Sequence, residues 1–407
     1  MLIHYLFHLA AFSSLSAACV LPFPRAESAA LIAKNIEARS SALSRSQPCS
    51  VRRTKIAIDN VRVFDGHEIS KCPTTVIIDG SKIGDNAEGA QHIDAKGATL
   101  IPGLIDAHCH PSNVTHLRDL TRYGVTTAFI MACYEPQLCK SLQGHPGLVD
   151  VLRSSAPAAA PNSLHGNLTT MVDRSLLLYN NSQIAPWMER QLAGEPDYIK
   201  LIGETPGLSQ ESLSCLTELA HQNDKKVAVH AASLSAYAQA VNAGVDHIQH
   251  VPLDQKVYTD ILRAMCRKRQ TSTPTLTMMR ATAQNVPHAN FQAAADSAYL
   301  IHKEGIPVLA GTDANLQPGI PAKVPFGSSL HDELENLVQV GLSNLEALRA
   351  ATVLPALHYG LHDRGSISPG MRADLVLVDG NPLDDIKATR NIKRVWAAGV
   401  EYSENTM

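Results

Sequence analysis

Two histidines separated by one residue, His108 and His110, close the apolar stretch Leu100-Ile-Pro-Gly-Leu-Ile-Asp-Ala-His-Cys-His110. In an extended chain, residues two apart point the same way, so both imidazoles can face one ion. Neutral imidazole is the commonest metal ligand. Four more candidates follow apolar runs: Lys200 after Asp197-Tyr-Ile, His230 after Val227-Ala-Val, His250 after His247-Ile-Gln and Asp313 after Ala310-Gly-Thr. Any one of these alone would more often be structural, and an aspartate after a strand often caps a helix. Five ligand-type side chains and a lysine, all at the ends of apolar runs, predict a divalent metal centre.

The elements that must position these residues are legible as alternating runs. Strand candidates fall at 100–107, 125–131, 168–172, 198–202, 227–230, 247–250, 271–276 and 308–310, with amphipathic segments such as 210–223 and 234–242 between them. This alternation predicts parallel strands joined by helices. Eight candidates predict an α/β fold of the (β/α)8 TIM-barrel type over residues 100–363, although the third strand has the weakest pattern. Barrel active sites lie at the C-terminal ends of the strands, where the six candidates fall. Short alternating runs at 55–63, 75–78 and 91–94 return near the other end at 375–378 and 392–396. They predict one small β-sandwich module built from both chain ends, 51–99 and 364–407. Residues 19–50, rich in Ala, Ser, Arg and Pro, are expected to form an N-terminal arm with one helix at 28–41.

The segments Ile101-Pro-Gly-Leu-Ile-Asp-Ala-His-Cys-His110, Gly124-Val-Thr-Thr127, Tyr198-Ile-Lys200, Val229-His-Ala231, Ile248-Gln-His250 and Gly311-Thr-Asp-Ala314 together resemble the amidohydrolase superfamily. The similarity is to its imidazolonepropionase-like, prolidase-like and ochratoxinase-like branch. His331-Asp-Glu-Leu334, Ala373-Asp-Leu-Val376 and Asn381-Pro-Leu383 resemble the family's C-terminal signature, so the likeness spans roughly residues 55–400. The resemblance implies two divalent ions. His108, His110 and Asp313 would hold one, and His230 and His250 the other. Lys200 stands where the family carries an N6-carboxylated lysine whose oxygens bridge the ions. Zinc suits imidazole and carboxylate ligands, while Mn, Co and Fe stay open. Two cations beside a water lower its pKa and supply hydroxide, and a cation polarises the substrate carbonyl. Asp313 would then move the proton to the leaving nitrogen. The expected substrate is a small amide or ester-like molecule: an N-acyl amino acid, a dipeptide or a related amide. A lactone or a cyclic amide is the alternative. A non-catalytic scaffold would be expected to have lost ligands, and none is missing.

Smaller candidates surround this set. His165, in Leu164-His-Gly166, could polarise a substrate carbonyl, against the ordinary reading of a solvated loop histidine. Tyr134 and His331 fall where substrate contacts form. Arg280 could bind a substrate carboxylate or simply lie on a helix surface. His116 and His145 carry no expected role.

With 35 basic and 38 acidic residues and 5% aromatics, the composition argues against nucleic acid and an anionic membrane as partners. Residues 1–18 are apolar and end Ser16-Ala17-Ala18, which suits signal peptidase, but no Lys or Arg precedes the run. Cleavage and secretion are expected, with a membrane anchor as the alternative; after cleavage no membrane contact is expected. The sequons at Asn113, Asn167 and Asn180 fit a secreted glycoprotein, although Asn113 lies so near the proposed site that no glycan is expected there. Cys133 and Cys139 could close a short bridge or stay free. The resemblance also implies a homo-oligomer as a state to expect.

Overall fold

The computed structural model describes residues 54–404. The expected leader (1–18), the arm (19–50) and its helix lie outside the described residues.

In chain order, the strands are β1 (Ile56–Val63), β2 (Thr74–Asp79), β3 (Lys82–Gly84), β4 (Gln91–Asp94), β5 (Thr99–Pro102), β6 (Leu104–Cys109), β7 (Val125–Ile130) and β8 (Asp150–Arg153). They continue with β9 (Ile199–Gly203), β10 (Val227–Ala231), β11 (His247–Gln249), β12 (Thr271–Thr273), β13 (Leu375–Val378), β14 (Ile392–Ala397) and β15 (Val400–Glu401). Strands from both chain ends meet in one eight-stranded sheet, ordered β15-β14-β13-β5-β1-β2-β3, with β4 also paired to β1. The junction is β5, antiparallel to β13 with Leu100 opposite Leu377 and parallel to the end of β1. Ile58, Ile78, Leu100, Leu375 and Trp396 fill its core.

The middle of the chain is mixed α/β. β6, β7 and β8 form one parallel sheet; β9 to β12 form another. Every residue of β6, β7, β9 and β10 is buried. Apolar strands of this kind belong to parallel sheets covered on both faces. One face packs on helices: Leu201 and Val229 share a core with Leu213 and Leu216 of helix Gln210–Gln222 and Tyr237 of helix Leu234–Ala243. On the other face, Ile105, Ala107, Phe129, Tyr198, Ala228 and Leu309 form a separate cluster. The named strands remain in two sheets, but isolated parallel bridges cross both gaps. Ser154 pairs with Tyr198, Ser272 with Val308, and Cys109 with Ala314.

The third strand is not at 168–172. Those residues lie in helix Leu164–Asp173, and the third parallel strand is β8. Leu168, Met171 and Val172 repeat at a helical i, i+3, i+4 spacing, and the Ser163 side chain caps the helix by accepting from Gly166 N. β8 reads Asp-Val-Leu-Arg, too short and polar at its ends to stand out. Cys133 and Cys139 form a disulfide. Among the described residues no helix is long and apolar enough to cross a membrane.

Candidate metal centre

The end of β6 and the segment 311–314 are joined backbone to backbone. His108 O accepts from Thr312 N and Asp313 N, and His110 N donates to Ala314 O at 2.9 Å. The buried carboxyl of Asp106 braces this junction, accepting from Thr312 Oγ1 at 2.7 Å and from the backbone N of His108 and Thr312. Gly311 makes the approach feasible. A Cβ there would stand 2.5 Å from Thr273 Cγ2 and 2.9 Å from His108 Cβ. Asp313 therefore reaches both histidines, with Oδ1 3.3 Å from His108 Nε2 and 3.0 Å from His110 Nε2. The three residues offer ligand atoms that all lie within 4.8 Å of one another.

The other expected residues line the same cleft: Lys200 from β9, His230 from β10 and His250 after β11, with His165 and Tyr134 beside them. The imidazoles form a chain, with ring centres 5.4 Å apart from His110 to His108, 4.8 Å from His108 to His250, 4.6 Å from His250 to His230 and 4.3 Å from His230 to His165. The protonation states favour ligation. Burial depresses the His108 imidazole to about 4 and holds His230 and His250 well below their ordinary value. Burial opposes ionisation of Asp313, but the charges and hydrogen bonds of His108 and His110 outweigh it and hold the carboxyl well below the usual range. Burial lowers the Lys200 amine to about 7. Neutral imidazoles and an ionised carboxylate are the states that metals require, and a neutral amine is the form able to take up CO2. The donor set thus fits divalent ions.

Several positioning residues were not foreseen. Gln249 Oε1 lies 2.8 Å from His108 Nδ1, leaving Nε2 for the centre. Thr275 Oγ1 lies 2.8 Å from His250 Nδ1. The turn carrying Thr275 is held in turn by Glu333, whose carboxyl accepts from the backbone N of Leu276 and Thr277. Glu204, the residue after β9, accepts from His165 N at 3.0 Å and faces His165 Nδ1 at 2.9 Å. Burial works against the Glu204 charge, but His165 keeps its carboxyl below the ordinary value. The available signal for Glu204 was its place four residues after Lys200, just past a strand end.

Two of the smaller candidates lie elsewhere. His331 is buried between Thr389 Oγ1 at 3.0 Å and Tyr123 O at 3.1 Å. Arg280 Nη2 donates to Asn336 Oδ1 and Gln339 Oε1, and its guanidinium lies over the Phe291 ring. Both sit in packing that outcompetes the cleft: a buried hydroxyl and carbonyl for the histidine, two amides and an aromatic face for the arginine. His116 stacks on Phe326, and His145 meets Ser141 O. His165 lies in the first turn of a helix, not on a solvated loop.

A sequence model of the amidohydrolase family matches residues 99–401. An adenine deaminase of Gluconobacter oxydans (strain 621H) is 26% identical over 351 residues, which cover 80% of this chain and 55% of that protein. The crystal structure of a Xaa-Pro dipeptidase with bound methionine in its active site superposes with a TM-score of 0.72 at 19% identity, covering 86% of this chain and 100% of that one. Ochratoxinase of A. niger superposes with a TM-score of 0.71 at 19% identity, covering 86% and 96%. At such identities the structural likenesses speak for the fold alone.

Proposed function

Because this chain belongs to the amidohydrolase family, we propose that it is a metal-dependent hydrolase that cleaves an amide-type C–N bond in a small molecule. The observation that carries this reading is the ligand-ready cluster of His108, His110 and Asp313, continued by His250 and His230 along one cleft. His108, His110 and Asp313 would hold one divalent ion and His230 and His250 a second, with Lys200 N6-carboxylated between them and zinc the expected metal. Such ions, when bound, acidify a water and polarise a carbonyl.

The chain's own residues supply the rest. Asp313 accepts the proton released as water attacks and returns it to the leaving nitrogen. His165, whose Nδ1 faces Glu204, keeps Nε2 for the substrate carbonyl oxygen. The reading includes a closed (β/α)8 barrel over 100–363 beside a β module from 51–99 and 364–407. Supporting it are the bridges across both sheet gaps and a cluster drawing side chains from β6, β7, β10 and residue 309. The Cys133–Cys139 disulfide supports an oxidising, secreted setting.

The test is hydrolysis of amides, with lactones in parallel, by protein loaded with zinc and supplied with bicarbonate. Lys200→Ala is expected to lose bound metal and nearly all turnover, with partial rescue by short carboxylic acids. A Lys200→Ala protein with full metal content would rule out the bridging role. Lactone turnover without amide turnover would move the reaction to C–O bonds.

A further inference from the structure

The walls of the cleft above the ligand cluster are hydrocarbon and thioether. Leu168, Met171 and Val172 project from helix Leu164–Asp173 on one side, and Met278 and Met279 from helix Leu276–Asn285 on the other; Ile320 joins them between two prolines. The cleft is part-open to solvent above these walls. Outside the ligand cluster and His165, the polar lining is uncharged: a phenol, a hydroxyl and two amides from Tyr134, Thr282, Asn315 and Gln317.

A free carboxylate on a substrate needs a counter-charge when it enters such a space, because an unpaired buried charge is strongly disfavoured. Among the described residues lining the cleft, Lys200 is the one Lys or Arg, and it stands within the ligand cluster. Arg280 shares a helix with the two methionines but is committed to Asn336, Gln339 and Phe291. Methionine is unbranched and polarisable, so walls built from it adapt to aryl and alkyl groups of varied shape.

We propose that the substrate is a neutral, apolar carboxamide, with hydrocarbon or aryl groups on both sides of the amide and no free carboxylate. This rests on the hydrolase reading. Water adds its oxygen to the carbonyl carbon, the C–N bond breaks, and one proton passes to nitrogen, giving a carboxylic acid and an amine. N-acyl amino acids and dipeptides are poor substrates on this account, because their carboxylate meets thioethers where it needs a cation.

The experiment uses a matched pair differing by one carboxylate: N-hexanoyl-2-phenylethylamine and N-hexanoyl-phenylalanine. Both are titrated calorimetrically into the zinc-loaded protein, and amine release is followed in parallel. The neutral amide is expected to bind about tenfold or more tightly than its carboxylated partner, a difference of about 1.4 kcal/mol. Met278→Arg, which places a cation in the wall, should narrow or reverse that order. Equal or tighter binding of the phenylalanine conjugate to the parent protein would overturn the proposal, as would failure of both to bind at millimolar concentration. Tight binding of the neutral amide without amine release would support the cleft's preference while sinking the hydrolase reading.

Discussion

Gln249 offers a sharp test of how the centre is built. Its side chain and that of His108 are both buried, and the 2.8 Å contact between Gln249 Oε1 and His108 Nδ1 is the Nδ1 hydrogen bond seen for that ring. The glutamine oxygen can only accept, so it fixes the proton on Nδ1 and the lone pair on Nε2. Gln249→Leu keeps the volume roughly constant and removes the acceptor. The Nδ1–H is then buried without a partner, which costs about 1–3 kcal/mol. The ring can escape by shifting its proton to Nε2, the atom 3.3 Å from Asp313, but it then ceases to be a ligand there. Losing such an outer partner typically costs about 10–100-fold in metal affinity, or about 1.4–2.8 kcal/mol at 1.4 kcal/mol per tenfold. The assay is zinc competition against a chromogenic chelator at fixed pH, with urea unfolding of the metal-free protein as the stability control. Gln249→Glu, which keeps the acceptor and adds charge, should hold zinc at least as tightly as the parent. Zinc affinity unchanged in Gln249→Leu would refute the argument that this contact selects the ligating nitrogen.

Two further outcomes follow from the same geometry. His165→Gln and Glu204→Gln should each lower kcat by about 10-fold or more while leaving zinc content near that of the parent. The double variant should be little worse than either single one, since the two act as a unit; fully multiplicative losses would show that Glu204 does not act through His165. The buried His331 imidazole is depressed from 6.5 to about 4, chiefly by burial and then by Arg390. The fold therefore favours its neutral form, so its contribution is present above pH 6.5 and is lost as pH falls towards 4. Between pH 7 and pH 5 this group should remove roughly 2 kcal/mol of stability. Urea titrations at both pH values should show a smaller drop for His331→Gln; an identical drop would deny His331 that role.

The ligand candidates were legible because they are ligand-type residues directly following buried runs, and the strand ends bring them to one cleft. The positioning residues were hidden by the same logic. Gln249 and Thr275 are not ligand types, and their partners lie 141 and 25 residues away in sequence. Gln249 on β11 reaches His108 on β6 from a different sheet, and Thr275 reaches His250 from just past β12, the strand beside β11. The third strand was misread because 168–172 carries β-branched residues that the Ser163 cap and helical spacing override, whereas β8 is four residues long. Arg280 shows the converse. Its charge made it a candidate, but Asn336, Gln339 and Phe291 satisfy it away from the cleft, and such competition has no signature in one sequence.

Three of the eleven non-glycine residues with left-handed backbones among the described residues gather at this cluster. His250, Thr275 and Asp313 all have left-handed backbones, with φ of 70°, 49° and 54°. For residues bearing a Cβ this conformation costs roughly 1–2 kcal/mol each. All three lie just past strand ends or in the segment bonded to β6, and all three belong to the cluster or touch it: His250 and Asp313 line the cleft, and Thr275 meets His250. Such strain persists only where surroundings over-determine it. Here hydrogen bonds supply those surroundings: His250 N donates to Thr273 O, Asp313 N to His108 O, and the Glu333 carboxyl receives the amides that follow Thr275. A fold serving only as a scaffold would gain stability by relaxing these positions to glycine. Asp313→Gly would relieve the backbone but remove the carboxylate that both His108 and His110 face. It should therefore abolish zinc binding, while Asp313→Asn, which keeps the strained backbone and a hydrogen-bonding side chain, should weaken zinc binding without the backbone relief. Zinc content near that of the parent in Asp313→Gly would mean that the carboxylate is not a ligand, and the strain argument for a functional site would fail.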